Sequence, residues 1–131
     1  MDKPGAKQGD SVVGVDTHIL MIPSPAGPVP TPTPLPFNGS LVGELSEDVL
    51  IEDMPAAVEG SVARNLPPHV PAGGPFQKPP ANEGKVMMGS GKVLINDKKA
   101  ARIGEQVKTC ADPADAPNGT IVGSGTVLMG G

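Results

Sequence analysis

The sequence predicts an all-β fold: a small domain of short β-hairpins with pseudo-threefold repeats and long Pro-rich loops. Three observations lead there. Glycine and proline are abundant, with 18 and 17 copies in 131 residues, a composition that signals disorder unless a period organises it. Apolar residues do not recur at i, i+3, i+4 over several helical turns, although Pro55–Asn65 (PAAVEGSVARN) could form one short helix. The third observation is an internal repeat, which supplies the missing period.

Taken in order, residues 1–8 are a polar, flexible N-terminus, and residues 9–131 form a single domain. Ser11–Ile22 (SVVGVDTHILMI) is apolar and β-branched enough for a strand or strand pair. The next segment, PSPAGPVPTPTPLP at 23–36, carries seven prolines in fourteen positions. Such a run excludes helix and central strand and favours extended polyproline geometry. It is a linker, an adaptor-domain ligand, or a stiff strut along the domain surface.

The repeat then sets the architecture. Val49-Leu50-Ile51, Glu52-Asp53 and Pro55-Ala56-Ala57 recur 44 residues later as Val93-Leu94-Ile95, Asn96-Asp97 and Lys99-Ala100-Ala101, with Gly60 falling on Gly104. A third copy, Gly123-Ser124-Gly125-Thr126-Val127-Leu128-Met129, matches Gly89–Ile95 and reaches Gly130-Gly131 before any third Ala-Ala pair. The copies lie near 41–62, 85–107 and 121–131. Asn96-Asp97 suits the positive-φ positions of a tight hairpin turn. Three hairpins, each unable to bury a face alone, would stabilise one another around a common axis.

Composition narrows the function. The net charge is −4 with no basic run, which argues against nucleic-acid binding. The apolar runs are too short to span a bilayer, and MDKPGAKQGD lacks the apolar centre of a secretory signal. A single cysteine excludes an internal disulfide framework, so Cys110 is a buried thiol or a ligand. Phe37 and Phe76 are the only aromatic residues, too few for a large core, so a metal or a partner protein is expected to anchor the chain.

GSGK at Gly89–Lys92 resembles the end of a phosphate loop but lacks Ser or Thr after the lysine. The third copy keeps the glycines and loses the lysine, so the stretch reads as a turn that needs glycine dihedrals. His18, His69 and Cys110 are the only histidines and cysteine, each near a different segment end. Pseudo-threefold packing would gather them into a Zn²⁺ site, with Asp16 or Asp112 as a fourth ligand or an orienting neighbour. Alternatively they are a strand histidine, a loop histidine and a small buried hydrophobe. Asn38-Gly39-Ser40 and Asn118-Gly119-Thr120 read as Asn-Gly turns, and Glu59, Arg64, Glu105 and Lys108 as solvated charges. No catalytic constellation stands out, and the chain is expected not to be an enzyme.

VLINDKKAARIGE (Val93–Glu105), Thr109-Cys110 and GTIVGSGTVLMGG together resemble the PAAR-repeat proteins. The motif reads Lys99-Ala100-Ala101-Arg102, and more weakly Pro55-Ala56-Ala57-Val58. The proline-rich segments resemble the PAAR-like branch, and the similarity covers about residues 9–131. It implies a conical all-β domain with a structural Zn²⁺ near its point. Such a domain caps a trimeric, VgrG-like spike of a type VI secretion system or phage-tail-like machine, one copy per trimer. It sharpens the spike for membrane piercing and effector delivery. The family's three histidines and one cysteine carry over to His18, His69 and Cys110, while Leu35 stands where the remaining histidine would be. The resemblance further implies synthesis in a bacterial cytoplasm and export at the machine's tip, as a bare tip without a fused effector. Two rival readings are a zinc hydrolase with an open coordination position and a proline-rich adaptor ligand.

Overall fold

The computed structural model describes residues 2–130, which form strands and no helix. The longest elements are β2 (Ser11–Ile22) and β3 (Val29–Gly43), paired antiparallel from Ser11↔Ser40 to Ile22↔Val29. On β2 the inward positions are Val12, Asp16, His18 and Leu20, all buried, as a two-residue side-chain period requires. The proline tract is thus not a free polyproline strut: from Val29 onward it is a strand. The alternation explains how. The amide of Met21 bonds Pro75 and the carbonyl of Ile19 accepts from Gln77, so odd residues of β2 face away from β3. The even ones face β3 and pair with Val29, Thr31, Thr33 and Leu35. Pro30, Pro32, Pro34 and Pro36 therefore turn their donorless nitrogens to the outer edge, where proline is tolerated and further strand pairing is discouraged.

Four shorter strands complete a closed antiparallel barrel with these two: β6 (Val62–Asn65), β7 (Glu83–Val86), β10 (Gln106–Thr109) and β11 (Ala116–Val122), in the order β10-β11-β2-β3-β6-β7. Its core is Val12, Phe37, Leu41, Ala63, Val86, Val107 and Ile121. Asn-Gly at 38–39 and 118–119 lies inside β3 and β11, so the expected turns are strands. Glycine is needed there for close approach: a Cβ on Gly39 would sit 2.7 Å from the Arg64 carbonyl oxygen. Beyond Gly14 and Asn38 only β2 and β3 run on, so six strands reduce to two.

At the other end lie three two-stranded hairpins. They are β4 (Leu50–Ile51) with β5 (Met54–Pro55), β8 (Leu94–Ile95) with β9 (Lys98–Lys99), and β12 (Leu128–Met129) with β1 (Lys3–Pro4). Glu52-Asp53 and Asn96-Asp97 hold φ of 50° and 69°, and 52° and 66°, the turn expected from their side chains. The third hairpin is assembled from the two ends of the chain. After each hairpin the chain enters a ring of backbone bonds: Ala6 N–H to Ala101 C=O, Ala57 to Ala6, and Ala101 to Ala57, at 2.9, 2.9 and 3.0 Å. Each segment then turns through a glycine of positive φ, at Gly9 (90°), Gly60 (95°) and Gly104 (93°). Those glycines donate to Leu41, Val86 and Ile121, three core residues. Ile51, Ile95 and Met129 form the hydrophobic floor with Ala56, Val58 and Ala100.

Several expectations are corrected here. Residues 3–8 are not a loose extension: Lys3–Pro4 is β1, and Ala6 is wholly buried. PGAKQGD (4–10) supplies the second half of the third repeat, aligned with PAAVEGS (55–61) and KAARIGE (99–105); Gly131 lies outside the described residues. Pro55–Asn65 is strand, turn and strand, not helix. Gly89 does not take left-handed dihedrals; it is required because a Cβ would lie 2.7 Å from that of Lys99. Glu105 is buried against Arg102, whose Nε donates to it at 2.9 Å, and exposed Arg64 pairs with Glu83.

Candidate metal centre

The inward face of β2 carries Asp16 and His18 two residues apart, on the part of the strand that outruns the barrel. Cys110 immediately follows β10, its amide bonded to the Glu83 carbonyl. His69 comes from the long loop between β6 and β7. That loop is pinned by Asn82, whose Oδ1 accepts from the His69 amide at 2.8 Å and from Asn65 Nδ2 at 3.1 Å. These elements bring together His18, His69 and Cys110, all three residues singled out in the sequence, and add Asp16. One donor atom from each of the four lies within 4.8 Å of every other, and all four residues are buried.

The contacts define which atoms converge. His69 Nε2 lies 2.9 Å from Asp16 Oδ2. Cys110 Sγ is 3.5 Å from the same oxygen and 3.6 Å from His18 Nε2. The second oxygen, Oδ1 of Asp16, is held by the Thr109 hydroxyl at 2.5 Å. Phe37 and Phe76 flank the histidines edge-on, with centroids 6.3 Å from His69 and 5.9 Å from His18. Both phenylalanines of the chain thus wall this one site.

Such a cluster is electrostatically awkward by itself. A carboxylate oxygen, two imidazole nitrogens and a sulfur point at one another in a buried position. Burial, and then the adjacent Asp16 charge, push the Cys110 thiol up from 9.0 to about 11. His18 Nδ1 is buried without a hydrogen-bond partner among the described residues. Asp112 Oδ2 lies 3.5 Å from it but is engaged by the Ile19 amide. Two imidazoles, a thiol and a carboxylate are the donor types of a tetrahedral metal site, so the cluster could hold a metal ion. The sequence offers Asp16 and Asp112 alike as a fourth ligand or an orienting neighbour; the signal that separates them is the Asp-x-His spacing in a strand, which sets Asp16 and His18 on one face.

Lys99, Ala100, Ala101 and Arg102 lie away from this cluster, in β9 and the alanine ring, where they are structural. Residues 77–131 match the family model described as PAAR motif. No curated protein matches the chain.

Proposed function

We propose, from the premise that residues 77–131 make this chain a PAAR-motif protein, that it caps the spike of a contractile injection system and sharpens it for piercing and effector delivery. The observation that carries this reading is the alanine ring, with its three hairpins. One chain repeated three times about an axis can seat on a trimer having a true threefold axis, one copy per trimer, without a mismatch at any of the three contacts. The hairpins offer a suitable surface: Leu50, Leu94 and Leu128 occupy equivalent positions and are 59%, 62% and 59% exposed. The partner in this reading is a VgrG-like spike trimer, with effector proteins as cargo.

The ion held by the buried cluster is proposed to be Zn²⁺, in a structural role. When bound it cross-links β2, the 66–82 loop and the end of β10. The chain's own residues fix that arrangement beforehand: Asn82 orders the loop, Thr109 orients Asp16, and the two phenylalanines exclude water. The role is architectural and not catalytic. In this reading the protein is made in a bacterial cytoplasm and leaves at the machine's tip.

Co-purification with candidate spike trimers, with the stoichiometry and metal measured, tests the proposal. One chain per trimer and about one zinc per chain supports it; failure to associate with any spike trimer sinks the capping role.

A further inference from the structure

We infer that Asp16 is the fourth ligand of the metal, so that the centre is a charge-neutral His18-His69-Cys110-Asp16 site. The inference rests on the reading that the cluster holds zinc and deepens it.

Three observations carry it. First, the spacing fits. Tetrahedral zinc with bonds of 2.0–2.3 Å places neighbouring donors about 3.3–3.8 Å apart. Cys110 Sγ lies 3.5 Å from Asp16 Oδ2 and 3.6 Å from His18 Nε2, and the 2.9 Å between His69 Nε2 and Asp16 Oδ2 needs only a small opening. Second, the two oxygens of Asp16 are already differentiated. Thr109 donates to Oδ1, and Oδ2 is the oxygen that faces both His69 and Cys110. The carboxylate is therefore oriented to coordinate through one oxygen.

Third, the charges balance. Asp16 is wholly buried, as is almost all of His18 and Cys110. A divalent cation bound by one thiolate and neutral ligands leaves a net positive charge in this buried site, whereas thiolate plus carboxylate cancels it. Uncompensated buried charge is strongly unfavourable. Binding is proton-balanced: the Cys110 thiol releases one proton to solvent as its sulfur takes the metal. The strand register shows how a carboxylate comes to fill this corner. Asp16 sits directly across from Leu35 on the inward face of the β2–β3 pair, so the donor comes from one strand and an apolar side chain from the other. Asp112 takes the outer place, beside His18 Nδ1.

The alternative is that Asp16 only orients His69 and water completes the coordination. Titration of metal-free protein with Co²⁺, read by visible absorption, separates the two. Wild type should give the intense bands of a four-coordinate, thiolate-containing site. Asp16→Asn, which can still accept a hydrogen bond, should shift the position and intensity of those bands, because water or a neutral amide takes the carboxylate's place, and lower zinc affinity more than 100-fold. A merely orienting residue would cost about 10- to 100-fold with the bands unchanged, and unchanged bands overturn the inference. Asp16→Asn with Leu35→His should recover most of the lost affinity. A measurement on wild type guards against misfolding of the variants: with ¹³C-aspartate label, zinc should widen the splitting of one carboxylate's infrared stretches. No change there overturns the inference. If wild type binds neither Co²⁺ nor Zn²⁺, the metal reading itself fails, and that result is distinct from every outcome in which metal binds without Asp16.

Discussion

The amide of Ala57 donates to the carbonyl of Ala6 at 2.9 Å, joining the first repeat to a segment at the N-terminal end of the chain. With its two equivalents this bond closes a triangle of three wholly buried alanines. A larger side chain cannot enter such a ring without moving all three segments. Ala57→Val should therefore destabilise the protein by about 1–3 kcal/mol. The denaturant midpoint should fall with an unchanged slope, while the same substitution at exposed Ala26 leaves it in place. A wild-type midpoint for Ala57→Val would show that the ring is not tightly packed.

The N-terminal residues belong to that ring. Removing residues 2–8 deletes β1, the Ala6 bonds to Ala57 and Ala101, and the ion pair of Lys7 with Asp10. Each buried backbone group left without a partner costs about 1–3 kcal/mol. The truncated protein should lose several kcal/mol, enough to abolish a cooperative thermal transition in a small domain. A flexible extension could be cut without effect, and calorimetry of the truncated chain distinguishes the two outcomes.

The third repeat carries the weakest sequence signal of the three. Val49–Gly60 and Val93–Gly104 announce themselves by matching in both halves. In the third copy the strand Leu128–Met129 lies at one end and PGAKQGD at the other, and no linear comparison joins them. Gly5 also replaces the first alanine of the other copies, and Lys7 and Gln8 replace their Val-Glu and Arg-Ile, leaving one alanine and the positive-φ glycine as the shared signal. By contrast Ser11–Ile22 was readable to the residue, because β-branched residues and Pro23 bound it on chemistry alone. The metal cluster was half legible. The rarity of His18, His69 and Cys110 pointed to them, but their convergence depends on register and on the Asn82 anchor, neither of which has a local sequence signature.

The thiol gives a pH signature in metal-free protein. The folded state holds the Cys110 proton until about pH 11, whereas an ordinary thiol releases it near 9.0. Between those values the folded state binds more protons than the unfolded chain, so stability falls as pH rises. The melting temperature should be insensitive to this group below pH 9 and decline above it. Cys110→Ser should flatten the decline, and so should zinc loading, which makes the sulfur anionic from the outset. Loading should also raise the melting temperature at neutral pH, since zinc at 1,000 times its dissociation constant adds about 4 kcal/mol. Equal melting of chelated and zinc-loaded protein would remove the structural role of the metal.

The hairpin leucines give the most direct handle on docking. Leu50, Leu94 and Leu128 are each the exposed member of a strand whose next residue, Ile51, Ile95 or Met129, is buried in the floor. Replacing all three with Glu leaves the floor intact, so the metal-loaded monomer should melt within a few degrees of wild type. A surface that seats on a spike trimer would lose three apolar contacts and gain three charges to desolvate, each worth on the order of 1–3 kcal/mol at a packed interface. Binding to the trimer should weaken at least 1,000-fold in a titration. A single Leu94→Glu should cost about a third of that free energy, because the three contacts are equivalent and too far apart in sequence to share a local turn. Full-strength binding by the triple variant would mean that the spike engages a different face.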